Sequence, residues 1–297
     1  MNDRLPQDTC PLSLPQRLFV GLQYLLPQHL LSRLMFWLTR TRMGPLTRLA
    51  IRTFVRVFGV DLSEAQVAEP AAYPTFNAFF TRALREGARP LDRPPDSLVS
   101  PVDGIVSQIG HIESGRIFQA KGQEFGCQEL IGGDTGLASH FDGGAFATLY
   151  LAPRDYHRIH MPLDGRLRAT IHVPGRLFSV NPTTAAAVPR LFARNERVVC
   201  VFDTALGPMA LVLVGAIFVG SIETVWSGRL TPPRARTVIR MEASNDLPPL
   251  RRGAELGRFN MGSTVILLMP PGSTRWKPGL VAGAMIRCGN ALALPQG

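Results

Sequence analysis

The sequence predicts an α+β protein: basic amphipathic helices over residues 1–95, then a mainly-β domain of sandwich or barrel-like type over residues 96–297. Three observations carry this. From Thr9 to Val60 there is no Asp or Glu, and apolar residues recur at the three- and four-residue spacing of a helix. Arg89-Pro90-Leu91-Asp92-Arg93-Pro94-Pro95 then reads as a linker. Beyond it, short β-branched segments alternate with Gly and Asp turns.

The acid-free stretch carries Arg17, Arg33, Arg40, Arg42, Arg48, Arg52 and Arg56 among leucines and aromatics. Pro27 and Gly44-Pro45 divide it into three short helices. Basic amphipathic helices without acids suit a membrane interface, and Phe36-Trp37 suits the boundary depth. The plainer alternative is a helical cap packed on the core with its arginines solvated. Thr75-Phe76-Asn77-Ala78-Phe79-Phe80-Thr81-Arg82 reads as a further short helix with an aromatic face.

In the β region, strands are expected over 104–110, 146–151, 198–202, 209–219 and 237–241. A last one follows Gly262-Ser263-Thr264, where a small-residue step runs straight into Val265-Ile266-Leu267-Leu268-Met269. Gly-Ser-Thr alone is turn material. A second copy at 272–274 follows Pro270-Pro271 and precedes Arg275, so an exposed loop is expected there. Context is what distinguishes Ser263.

Composition bounds the function. There are 32 basic and 22 acidic residues, a net charge of +10, and the only lysines are Lys121 and Lys277. An arginine-dominated surplus suits phosphate-bearing partners. Cys10, Cys127, Cys200 and Cys288 are scattered, which argues against a zinc ribbon, a redox pair or a disulfide framework. The start lacks a signal-peptide pattern, and no apolar run is long enough to span a bilayer, so an intracellular protein is expected. No Gly-rich phosphate loop is present.

Three stretches could carry chemistry. Ser100-Pro101-Val102-Asp103-Gly104 offers a carboxylate, although Asp-Gly is more often a turn. Residues 150–162 concentrate His157 and His160, two of six histidines. Ser263 offers a hydroxyl beside the unhindered carbonyl of Gly262. Together they supply an acid, a base and a nucleophile. A metal centre on His157, His160 and His172 is the weaker alternative, since no Cys or helix-borne Glu completes a pattern. No metal is expected.

Five segments resemble the bacterial membrane-associated phosphatidylserine decarboxylases, in that family's order: residues 100–104, 150–162, 191–198, 220–226 and 257–266. The 77–82 stretch and the basic N-terminal helices are also similar, so the resemblance covers nearly the whole chain. It implies a proenzyme that cuts itself between Gly262 and Ser263. By motif position, Asp103, His160 and Ser263 would form the self-processing triad, and His157 would serve the decarboxylation. Ser263 would become a covalent pyruvoyl group capping an α chain of residues 263–297, paired with a β chain of residues 1–262. The product of the reaction would be phosphatidylethanolamine.

The resemblance further implies a peripheral enzyme on the cytoplasmic side of the cell membrane, bound to anionic phospholipid. Its β–α heterodimer could assemble into a higher homo-oligomer. No pyridoxal phosphate is expected, since only two lysines could anchor it. Met261 stands where the family usually shows Leu, a swap close in volume. Two readings compete with this one. A serine hydrolase would use Asp103, His160 and Ser263 without forming a pyruvoyl group, and a basic membrane-docking β module would not be catalytic. Nucleic-acid binding is disfavoured, because the arginines accompany apolar stripes rather than exposed aromatics on strands.

Overall fold

A computed structural model describes residues 12–218, 221–231 and 236–295. Cys10, the N-terminal start and Gly220 of the 220–226 segment lie outside the described residues. Three helices open the chain: α1 (Leu14–Leu25), α2 (Gln28–Arg40) and α3 (Pro45–Phe58). They break at the expected places. Pro27 sits between α1 and α2, and Gly44, at φ +53°, turns the chain into α3. The short helix α4 (Phe76–Phe80) follows, capped by the Thr75 hydroxyl, which accepts from the Ala78 amide at 3.1 Å.

The first two helices are amphipathic in an unusual sense. Leu14, Leu18, Leu22 and Leu25 of α1 and Leu30, Leu34, Trp37 and Leu38 of α2 face outward and are exposed. The buried positions are mostly polar: Gln23, Gln28, Ser32 and Thr39. Gln23, Gln28 and Ser32 bond the body of the protein, while the Thr39 hydroxyl donates back to the Met35 carbonyl of its own helix at 2.8 Å. The Gln23 amide oxygen accepts from the Ser179 amide at 2.8 Å, that of Gln28 from Leu177 at 2.9 Å, and the Ser32 hydroxyl from Phe218 at 3.1 Å. A cap packed through its apolar stripe would show the reverse. In contrast, α3 joins α4 through an apolar cluster that includes Ile51, Tyr73, Phe79 and Phe80.

The β region is built on an eight-stranded antiparallel sheet. Its spatial order is Ile239–Glu242, Gly165–Val173, Arg197–Thr204, Gly207–Val214, Ser263–Met269, Ala145–Leu151, Gly104–His111 and Met285–Ile286. The expected strands are all present, although the one reaching to residue 219 ends at Val214. A four-stranded sheet (Gly228–Arg229, Ile222–Thr224, Glu255–Phe259, Arg158–His160) and a three-stranded sheet (Leu98–Val99, Ala291–Pro295, Thr274–Trp276) supply residues to the core on one face. The hairpin of Arg116–Ala120 and Gln123–Gly126, with short helices, packs on the other face. Among the described residues the architecture is α+β with open, sandwich-like sheets and no closed barrel.

Covering both faces explains why Ser263–Met269 is buried at every position. Val265, Leu267 and Met269 enter the sandwich core, while Ile266 and Leu268 enter the opposite one. Alternation places the Ser263 side chain on the sandwich side with Val265. The second Gly-Ser-Thr is not an open loop. Ser273 and Thr274 are buried, the Ser273 hydroxyl donates to the Pro270 carbonyl at 2.7 Å, and Thr274 starts a strand paired at Pro295. The pairing with the C-terminal strand, remote in sequence, is what covers it.

Candidate active site

Two chain crossings run side by side in opposite directions between the eight-stranded and the four-stranded sheets. One leaves Leu151 and arrives at Arg158; the other leaves Phe259 and arrives at Ser263. They are tied at both ends. Ser263 pairs with Leu151, and the Phe259 amide donates to the His157 carbonyl at 3.0 Å. The register therefore brings Ser263 and the histidine-bearing stretch to one corner of the sandwich.

The peptide before Ser263 is strained. Met261 has φ +119° and Gly262 φ +25°. The first value is rarely adopted by a residue with a side chain and costs on the order of 1–3 kcal/mol. It persists because neighbours hold both sides. The Met261 side chain packs on the α3–α4 aromatic cluster. Asn260 is fully buried, and its amide nitrogen donates to Ser221 Oγ at 2.7 Å and Glu223 Oε1 at 2.9 Å. Ser263 is fully buried as well, and among the described residues its Oγ has no hydrogen-bond partner.

His157 is also fully buried, with its ring 4.1 Å from that of Phe80. Its Nδ1 donates to the Asp155 carbonyl at 2.8 Å, which leaves Nε2 as an unprotonated acceptor without a partner among the described residues. Burial pushes its pKa down to about 3; the Arg82 guanidinium adds to this, and the Asp155 carbonyl opposes it. His160 is engaged on both nitrogens. Nδ1 donates to the Gly253 carbonyl at 2.8 Å, and Nε2 accepts from the Tyr156 hydroxyl at 2.9 Å. Burial lowers its pKa too, opposed by the Gly253 carbonyl and the charges of Glu255 and Asp103. Both imidazoles are neutral near pH 7.

Asp103 lies at the turn into the Gly104–His111 strand. A side chain at position 104 would place its Cβ 2.2 Å from the Tyr150 carbonyl oxygen, so glycine is required there. Arg89 grips the Asp103 carboxylate with Nε and Nη2, and the Cys288 amide donates to it at 2.8 Å. Asp103, His160 and Ser263 are not joined by hydrogen bonds among the described residues. Asp103 reaches His160 only as a through-space charge.

Sequence reasoning missed Arg89, Tyr156 and Asn260. Arg89 stood in a stretch read as a linker. Tyr156 and Asn260 lay inside the quoted motifs, but nothing in one dimension shows what they bond. Unpartnered buried polar atoms gather on the segments that meet here: Arg82 Nε, His157 Nε2, Asn260 Oδ1 and Ser263 Oγ. Buried polar atoms ordinarily find partners, so such a group marks a place for a ligand or for chemistry. His172 instead pairs with Glu196 at 3.1 Å. Among the described residues, no group of three or more His, Cys, Asp or Glu side chains converges as metal ligands.

The family profile described as Phosphatidylserine decarboxylase matches residues 76–294, and a second, described as PSD, matches residues 18–59. Relatives called phosphatidylserine decarboxylase proenzyme are similar over almost the whole chain. One from Pseudomonas fluorescens is 56% identical, covering 94% of this chain and 98% of its own length. One from Methylococcus capsulatus is 53% identical over 94% and 97%. One from Pseudomonas aeruginosa is 55% identical over 96% and 99%. The α+β fold with its buried polar corner is thus that of an enzyme, a carboxy-lyase acting on a lipid. The chain belongs to the phosphatidylserine decarboxylase family.

Proposed function

We propose that the chain decarboxylates phosphatidylserine to phosphatidylethanolamine and CO₂ with a pyruvoyl group made from its own Ser263. The observation that carries this reading is Ser263 Oγ, buried and unpartnered directly after the strained Met261-Gly262 step. Ser263 Oγ loses its proton to an imidazole and attacks the Gly262 carbonyl carbon. The Gly262–Ser263 C–N bond breaks and the chain continues through an ester. Loss of the Ser263 Cα proton then expels Gly262 as a carboxylate, leaving dehydroalanine. Its imine tautomer takes up water and releases ammonia, which gives the new α-chain end.

The residues present fit such a group. Ser263 is fully buried, and the segments that meet there carry Arg82 Nε, His157 Nε2 and Asn260 Oδ1 without partners among the described residues. The pyruvoyl carbonyl supplies an electron sink for the carbanion left by CO₂. Asp103, His160 and Ser263 carry the self-cleavage in this reading. Tyr156 must then release His160 Nε2, and the Asp103 charge favours the imidazolium that forms. His157 handles the proton of the decarboxylation step. A second assignment is favoured by one observation. His157 Nε2 is free where His160 Nε2 is covered, so His157 could take the Ser263 proton instead.

The outward leucines and Trp37 of α1 and α2 support peripheral docking of this family member on an anionic membrane, on its cytoplasmic side. Among the described residues, no helix is long and apolar enough to cross a membrane. The β chain 1–262 and the α chain 263–297 remain together as a heterodimer, since Ser263–Met269 is the interior strand between Gly207–Val214 and Ala145–Leu151. Mass spectrometry of the purified protein tests the reading. A C-terminal fragment lighter by one ammonia than residues 263–297 is expected. An intact chain, or a fragment with an unmodified serine end, would refute it.

A further inference from the structure

The two residues before Gly262, Asn260 and Met261, are both held, directly or through one bridge, by the N-terminal helices. On one side, Arg40 at the end of α2 donates to Ser221 Oγ at 3.2 Å and lies 3.6 Å from Glu223 Oε1. These same two atoms receive the Asn260 amide nitrogen. The Asn260 backbone joins in, donating to the Ser221 carbonyl at 2.9 Å. On the other side, Met261 packs on the cluster formed by α3 and α4.

Arg40 is not a surface arginine. Its guanidinium stacks 3.8 Å from the centre of the Phe36 ring, whose centre is 5.0 Å from the Arg229 guanidinium. Burial lowers its pKa, while Glu223 works against that. A half-buried cation between a ring and a carboxylate has few other orientations open to it. Earlier in α2, Ser32 accepts from the Phe218 amide, so the helix is fastened at Phe218 as well as at Ser221 and Glu223.

We propose that Arg40 is a positioning residue for self-cleavage: through Ser221 and Glu223 it fixes Asn260, and so holds the Met261-Gly262 step in the conformation that exposes the Gly262 carbonyl to Ser263. The inference rests on reading Gly262–Ser263 as the processing site. It gives the helical region a role beyond membrane contact. Without the clamp, the strained φ of Met261 can relax away from the reactive geometry. A small misplacement of reacting atoms is enough to slow a step a hundredfold.

The test is the rate of precursor loss after cell-free synthesis of the full chain, followed by the mass of the C-terminal fragment. Wild type and Ser263→Ala are run alongside; a wild-type chain that stays intact would refute the processing site itself, separately from this inference. Arg40→Met is expected to slow cleavage at least tenfold, and Arg40→Lys to recover part of that loss by restoring a cation beside Glu223. Melting temperatures are taken in the uncleavable Ser263→Ala background, where Arg40→Met should change little. Cleavage of Arg40→Met within twofold of wild type overturns the proposal. So does slow cleavage accompanied by a large fall in melting temperature, or slow cleavage that lysine does not improve.

Discussion

The Tyr156 hydroxyl sits 2.9 Å from Nε2 of His160, on the one imidazole nitrogen that could otherwise accept a proton. The other nitrogen is committed to the Gly253 carbonyl. The His160 imidazole is therefore engaged on both nitrogens, while the Ser263 hydroxyl has no partner among the described residues.

Removing that cover should reveal whether it restrains the base. Tyr156→Phe is expected to leave self-cleavage intact and to speed it severalfold. The time course of precursor loss measures this. A block in cleavage with an unchanged melting temperature would instead make the tyrosine a participant.

The two histidines should separate by step. His160→Gln is expected to abolish cleavage, leaving a full-length chain. His157→Gln should cleave but lose at least a hundredfold in decarboxylation, a size in line with losing a positioned acid–base group. Electrophoresis reads the first and CO₂ release the second. The opposite pattern would assign the Ser263 proton to His157, as its free Nε2 allows.

Acid should destabilise the precursor through His157. Its folded pKa of about 3 is depressed below the ordinary value near 6.5. Between these values the unfolded chain binds a proton that the folded chain refuses, so stability falls as pH drops through that window. The slope is about 1.4 kcal/mol per pH unit for the one group. Denaturant unfolding of the Ser263→Ala precursor between pH 7 and 4 measures it. His157→Phe should flatten the slope, and an unchanged slope would contradict the assignment.

Glycine at 104 should be indispensable. A methyl there would meet the Tyr150 carbonyl oxygen at 2.2 Å, and backbone on a paired strand cannot give way cheaply. Gly104→Ala is expected to cost about 3 kcal/mol or more in the same uncleavable background. Because Asp103 precedes it, cleavage should fall too.

The outward apolar face should govern docking. Leu34→Glu with Trp37→Glu is expected to weaken binding to anionic vesicles at least tenfold with little change in melting temperature, since both side chains are exposed. High salt should weaken wild-type binding only partly, because apolar burial persists when charges are screened. Co-sedimentation reads both.

Much of this was legible in one dimension because it is local or periodic. The three helices and their breaks follow from Pro27, Gly44-Pro45 and the acid-free apolar spacing. The continuous apolar run after Ser263 marks a strand buried on both faces. The order of five motifs indicated the family that the comparisons show. What tertiary structure alone decided is who bonds whom. Arg89 binds Asp103 across a stretch that looks like a linker, Tyr156 covers His160, and α1 and α2 turn their polar residues inward. It also decided that Ser273 and Thr274 are buried, with Thr274 paired to the C-terminal strand. Hydrophobic period fixes an element and its faces, but a hydrogen bond between distant residues depends on how the sheets register in space, which no local pattern encodes.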